Sequence, residues 1–184
     1  EAMPLADKRY DGAKRYPLSD SKSPIHAPSF ADGLRSVAVY ALIRNGNVPD
    51  GVYYLDQESQ ELVCIGTRQK MAAIVDAFPE KDFVSKAEEL YLYAGLMDRA
   101  VWRFREAAYR QVEMDVGAAC ANTMLYAKSK GKKVFPLGAF VDDVVAVALG
   151  LGGTEVPLAA VAVFPENSSV AFYSVDEGLG EFAY

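Results

Sequence analysis

The chain has 184 residues, about half of them apolar, a formal charge of −6 and a sequence pI near 4.9. That length suits one domain able to bury roughly 70% of its unfolded surface without a metal or disulfides. The acidic balance speaks against a nucleic-acid partner, which needs a basic stripe. No apolar run reaches the ~18 residues of a membrane span, so no membrane partner is expected.

Residues 1–32 hold four prolines, many charges and no sustained period, which predicts an extended N-terminal arm ahead of a domain over 33–165 and a C-terminal arm over 166–184. Residues 36–44 are β-rich and bounded by Gly33 and the Asn45-Gly46-Asn47 turn. Residues 52–55 and 60–65 continue from there as an antiparallel meander. Helical spacing at Met71, Ile74, Val75 and Phe78 predicts a helix over 68–78, stopped by Pro79. Residues 89–97 are apolar and aromatic, a central strand, after which Asp98 is placed to N-cap a helix. That helix is expected to run to Lys130, with a break near Ala108, and to stop at Gly131. A strand over 133–137, a turn at Gly138-Ala139, a helix capped by Asp142 or Asp143 and closed at Gly150, and a buried strand over 157–164 complete the domain. The pattern is α+β: helices covering a mixed or antiparallel sheet.

Between Val112 and Ala127 the long helix is apolar and small on nearly every side, with Gly117, Ala118, Ala119, Cys120 and Ala121 in succession. A helix without a wet face must be buried. In a chain of this size, packing against a symmetry mate in a homodimer is the economical explanation, with a monomeric core helix as the alternative. Asp115 and Asn122 are two turns apart and share one side. They need partners there, either a neighbouring arginine and a loop carbonyl or a cofactor and substrate.

Cys64 and Cys120 sit in apolar runs, as buried inert thiols would, and lean towards a reducing, cytoplasmic compartment. The start at Glu1 leaves room for processing. Lys128, Lys130, Lys132 and Lys133 lie at a helix end, where cations suit the dipole; an anion site is the alternative. His26 has no metal-ligating neighbours at ligand spacing, and Gly150-Leu151-Gly152-Gly153 ends a helix instead of opening one, unlike a phosphate loop.

Asp115, Gly117 and Asn122 match the Asp-x-Gly-x-x-x-x-Asn helix of the nitroreductase-like flavin oxidoreductases, in the branch with the SagB-type peptide dehydrogenases. Ala27-Pro28-Ser29 resembles that branch's Ala-Pro-Ser loop, and Asn47, Pro49, Gly51, Val52 and Tyr53 its hairpin. Leu137-Gly138-Ala139-Phe140 followed by Asp142-Asp143 resembles its Gly-Gly-Phe-Asp-Asp segment. Leu149-Gly150-Leu151 and Val156-Pro157-Leu158 extend the likeness, which spans residues 27–165.

The resemblance implies a nitroreductase fold, an obligate dimer with FMN between subunits, and NAD(P)H as candidate electron donor. By the same resemblance Pro28, Ser29, Asn122, Leu137, Gly138 and Ala139 contact the flavin, and Tyr109 or Arg110 faces a small-molecule or peptide substrate. Three departures stand against it. The Arg-Arg-Ser-x-Arg segment that clamps the FMN phosphate is missing, with only Lys14 and Arg15 nearby. Arg103-Phe104 stands where azoline-oxidising members carry Lys-Tyr, and neither serves as a base. No arginine follows Arg110. The sequence therefore leaves three readings: an FMN-dependent oxidoreductase with hydride transfer through bound flavin, a flavin-free relative acting as a dimeric binding or partner subunit, or a chain lacking part of its gene product.

Overall fold

The computed structural model describes residues 10–17 and 34–170. Its centre is a seven-stranded sheet. In chain order the strands are β1 (Arg15–Pro17), β2 (Val37–Ile43), β3 (Gly51–Asp56), β4 (Glu61–Gly66), β5 (Glu89–Leu96), β6 (Lys133–Leu137) and β7 (Glu155–Phe164). The helices are α1 (Arg68–Val75), α2 (Lys81–Val84), α3 (Met97–Phe104), α4 (Ala108–Ser129) and α5 (Asp142–Leu149), with a short 3-10 helix at Arg105–Ala107 before α4. The spatial order is β1-β4-β3-β2-β5-β7-β6. Every neighbouring pair is antiparallel.

Alternation decides which helix covers which face, because successive side chains of a strand point to opposite sides. Tyr40, Leu42, Leu90, Leu92, Ala160, Ala162 and Phe164 join Met71, Ile74 and Val75 of α1 and Val145 and Leu149 of α5 in one core. Val39, Tyr93, Val161 and Val163 face Val116, Ala119 and Ala127 of α4 in a second. The β2 to β3 connection turns at Asn45, whose φ of 54° is left-handed. There the Asn45 N–H donates to the Asp50 carboxylate at 3.0 Å.

Several sequence expectations change. Part of the N-terminal arm is a sheet strand: β1 pairs with β4 through Arg15↔Val63 to Pro17↔Glu61, a span too short to show a hydrophobic period. The first-turn acids are not caps. Leu96 precedes α3, and Asp98 sits inside its first turn, accepting from Thr154 Oγ1 at 2.7 Å. Val141 precedes α5, with Asp142 and Asp143 inside its first turn, where they still favour the positive end of the helix dipole. The four-residue α2 had no periodic signal.

The break before α4 falls at Arg105, with φ 49°. Gly131 and Gly150, at φ 74° and 72°, end α4 and α5 in left-handed geometry. Of the lysines at the α4 end, Lys132 pairs with Glu88, Lys133 donates to Ser168 O at 2.8 Å, and Lys130 lies over the Tyr126 ring. Among the described residues, no helix is long and apolar enough to cross a membrane.

Candidate functional site

Of the residues singled out by the sequence, Asn122 lies on α4, Leu137 ends β6, and Gly138 and Ala139 follow it ahead of α5. α4 approaches the sheet closely because Gly95 of β5 carries no side chain. A Cβ there would stand 2.6 Å from Val112 Cγ1 and 2.8 Å from Leu158 Cδ1. Two buried polar contacts then fix the helix. Ser36 Oγ donates to Asp115 Oδ2 at 2.6 Å, so Asp115 finds a serine at the entrance to β2. Tyr93 and Thr123 share a hydrogen bond of 2.7 Å between their hydroxyls. Burial drives the Tyr93 pKa well up, so its hydroxyl keeps the proton.

One side of α4 is therefore spent on the sheet. The expectation of a helix buried all round is corrected in the single chain: Val112, Asp115, Val116, Ala119, Thr123 and Ala127 are buried, whereas Tyr109, Glu113, Gly117, Ala121 and Leu125 are exposed on the other side. The exposed line is mostly small or apolar, and Leu125 is 67% exposed. A Cβ added at Gly117 would meet nothing within 4 Å. Asn122 is half-buried at the border between the two sides. Burial also pushes the Cys120 thiol up to about 11.

At β6, Leu137 is buried and pairs with Ala160, while Gly138 and Ala139 emerge exposed. A Cβ at Gly138 would again meet nothing within 4 Å. The connection is held from below: Val141 N–H donates to Ala77 O at 2.9 Å, and the Phe78 and Phe140 rings lie 5.4 Å apart. Tyr109, at the start of α4, feels both acids near it. Its hydrogen bond to Glu113, then the Glu113 charge and that of Asp142, raise its pKa. Tyr109 therefore lies within electrostatic reach of Asp142, and Leu137, Gly138 and Ala139 lead into α5.

Pro28, Ser29 and His26 lie outside the described residues. Gly117 and Gly138 each leave backbone open to the outside. Arg15 and Lys14, the cations nearest the missing clamp in sequence, are engaged elsewhere. Arg15 donates to Asp56 at 2.9 Å and Glu61 at 3.1 Å, on β1, at the opposite edge of the sheet from β6. Lys14 lies over the Tyr16 ring. β6, its turn and α5 carry no arginine. Arg103 and Arg110 are exposed, and Phe104 is half-buried.

The sequence had singled out Asp115 and Asn122 but not Ser36, Tyr93 or Thr123. The polar period on α4 was visible, but nothing local announces a serine 79 positions away.

Comparison with known structures gives the same architecture. A protein described as a nitroreductase from Anabaena variabilis superposes with a TM-score of 0.68 at 20% identity, over 86% of this chain and 34% of that one. A chain of the E. coli microcin synthetase McbBCD complex with truncated pro-MccB17 bound gives 0.66 at 21%, over 83% and 60%. A protein described as an NAD(P)H:FMN oxidoreductase from Staphylococcus epidermidis gives 0.57 at 14%, over 87% and 81%. The chain thus spans about a third and three-fifths of the first two structures. No curated protein matches it. At these identities the likeness establishes the fold, an α+β nitroreductase fold. The family model described as the nitroreductase family matches residues 13–163, most of the chain, and the chain belongs to that family.

Proposed function

We propose that the chain is an FMN-dependent oxidoreductase that works as a homodimer through the exposed side of α4, passing hydride from a donor such as NAD(P)H to a small-molecule or peptide substrate. The observations that support this are the open backbone at Gly138, followed by exposed Ala139, and the small-residue exposed side of α4. At Gly138 or at Gly117 a flat ring would reach main chain without displacing a side chain. Bound FMN would supply the hydride chemistry. The chain's own part is positional. Amides at Gly138 and Ala139 and the Asn122 carboxamide offer donors to polar ring atoms. The Ser36–Asp115 and Tyr93–Thr123 bonds hold α4 in place, and Tyr109 or Arg110 faces substrate. The structural likeness to the S. epidermidis protein described as an NAD(P)H:FMN oxidoreductase supports this choice of cofactor and donor.

One observation favours a second reading, a flavin-free dimeric partner subunit. Arg15, the nearest stand-in for the phosphate clamp, is engaged with Asp56 and Glu61. Without charge-assisted bonds worth roughly 1.5–3 kcal/mol each, FMN would be weakly held. The similarity to a protein found in the McbBCD complex is compatible with a partner role. Titrating FMN while following its fluorescence separates the two. The oxidoreductase reading expects saturable quenching that Gly138→Val weakens about tenfold or more. Wild-type protein without quenching leaves the partner-subunit reading.

A further inference from the structure

A second concavity lies away from the α4 corner. Arg44 follows β2 at the end opposite Ser36, and beside it α1 and the β2 to β3 connection border an open groove of about 420 Å³. Met71 and Val75 of α1, both buried, and Ala72 give it an apolar side; Arg44, Asp50 and Arg68 give it a charged one.

The four charged side chains of the groove, Arg44, Arg68, Asp50 and Asp76, sum to zero but are not paired one to one. The Asp50 carboxylate is committed twice, accepting the Asn45 N–H at 3.0 Å and Arg68 Nη2 at 2.9 Å. At the outer rim, Asp76 is answered by Lys81 at 3.8 Å. Half-buried Arg44 donates Nη1 to Ala87 O at 2.7 Å. Among the described residues, no carboxylate comes within ion-pair distance of it. Burial lowers its pKa, which the field of Asp50 only partly offsets. A bond to one carbonyl needs no charge, and desolvating a guanidinium for that alone is costly. Among the described residues, four of the five guanidinium N–H donors find no side-chain or backbone acceptor.

We propose that this groove binds a small organic carboxylate with an apolar body, its carboxylate on the guanidinium of Arg44 and its body against Met71 and Val75. The occupant is a free medium-chain or arylalkyl acid, or the apolar C-terminal residue of a peptide; both present the same chemistry. The site is on the α1 face of the sheet, opposite α4, so the inference stands independently of the flavin reading.

Titration calorimetry on the full chain tests it with octanoate, octanol, inorganic phosphate, and a leucine-terminated tetrapeptide as its free acid and its amide. Octanoate or the peptide acid is expected to bind, with octanol, phosphate and the amide each at least about tenfold weaker. Whichever carboxylate binds more tightly identifies the source. Arg44→Gln is expected to weaken binding about tenfold or more. Because Arg44→Gln also removes the bond to Ala87, Ala72→Trp provides the independent check: it fills the groove from an exposed position and should abolish binding while leaving the melting temperature in place. No carboxylate binding up to about 10 mM, phosphate binding as tightly as octanoate, or octanoate binding unchanged by Ala72→Trp would each overturn the proposal.

Discussion

Gly95→Ala tests how α4 is seated. The added methyl would lie 2.6 Å from Val112 Cγ1, 2.8 Å from Leu158 Cδ1 and 3.1 Å from Met97 Cε, where ordinary contact begins at 3.4 Å. Val112 is fully buried and β-branched, so its χ1 is nearly fixed within a helix. Relief must come from shifting α4 by roughly 0.8 Å in a close-packed interior. Overpacking of this kind costs about 1–3 kcal/mol. At about 2 kcal/mol the melting temperature should fall by about 4–8 °C for a chain of this size. Thermal unfolding followed by circular dichroism at one fixed protein concentration measures it, since oligomerisation makes the midpoint concentration-dependent. Val112→Ala makes room for the methyl, so the double variant should recover about 1–2 kcal/mol relative to the sum of the single changes. A Gly95→Ala midpoint within about 1 °C of wild type, or strict additivity in the double variant, would refute the close seating of α4 on β5.

Three further outcomes follow from the same geometry. Ser36→Ala removes a buried donor from the Asp115 carboxylate and should cost about 1.5–3 kcal/mol; a denaturant midpoint equal to wild type at unchanged m-value would contradict the role given to that bond. Burial opposes the charge on Asp56, but hydrogen bonds from Arg15, Ser59 and Glu58 outweigh it and hold its pKa below the usual carboxylate range. Its contribution is therefore complete above the unfolded value near ~3.9 and is lost as pH falls through the lower folded value. The stability gap between wild type and Asp56→Asn should narrow below about pH 4, and a gap independent of pH would rule this out. Ala121→Glu places a charge on the exposed line of α4 and should yield monomers in size exclusion if that side is the dimer interface; an unchanged dimer would move the interface elsewhere.

Much of the fold was legible because its signals are local. Alternating β-rich runs marked β2 to β5, Asn45-Gly46 marked a turn, and Gly131 and Gly150 marked helix ends where a positive φ is required. β1 was not legible, since three residues held at a sheet edge by β4 carry no period. The acids at α3 and α5 were placed one or two positions off because Asp serves a first turn as well as a cap, and sequence does not tell the two apart.

On α4, the polar spacing pointed to Asp115, which the fold buries against Ser36. The partners of α4 on the sheet, Ser36 and Tyr93, are selected by tertiary packing and have no signature nearby. The groove at Arg44 was illegible for the same reason: what matters is that Asp50 is occupied by Asn45 and Arg68, which only the folded β2 to β3 connection reveals.

The most direct test of an FMN-dependent dimer is the visible absorption spectrum of the purified protein, with and without added FMN, followed through size exclusion. Flavin bands near ~450 nm, a property of the cofactor itself, are expected to co-elute with a dimer. A colourless protein that elutes free of added FMN would contradict the FMN-dependent dimer.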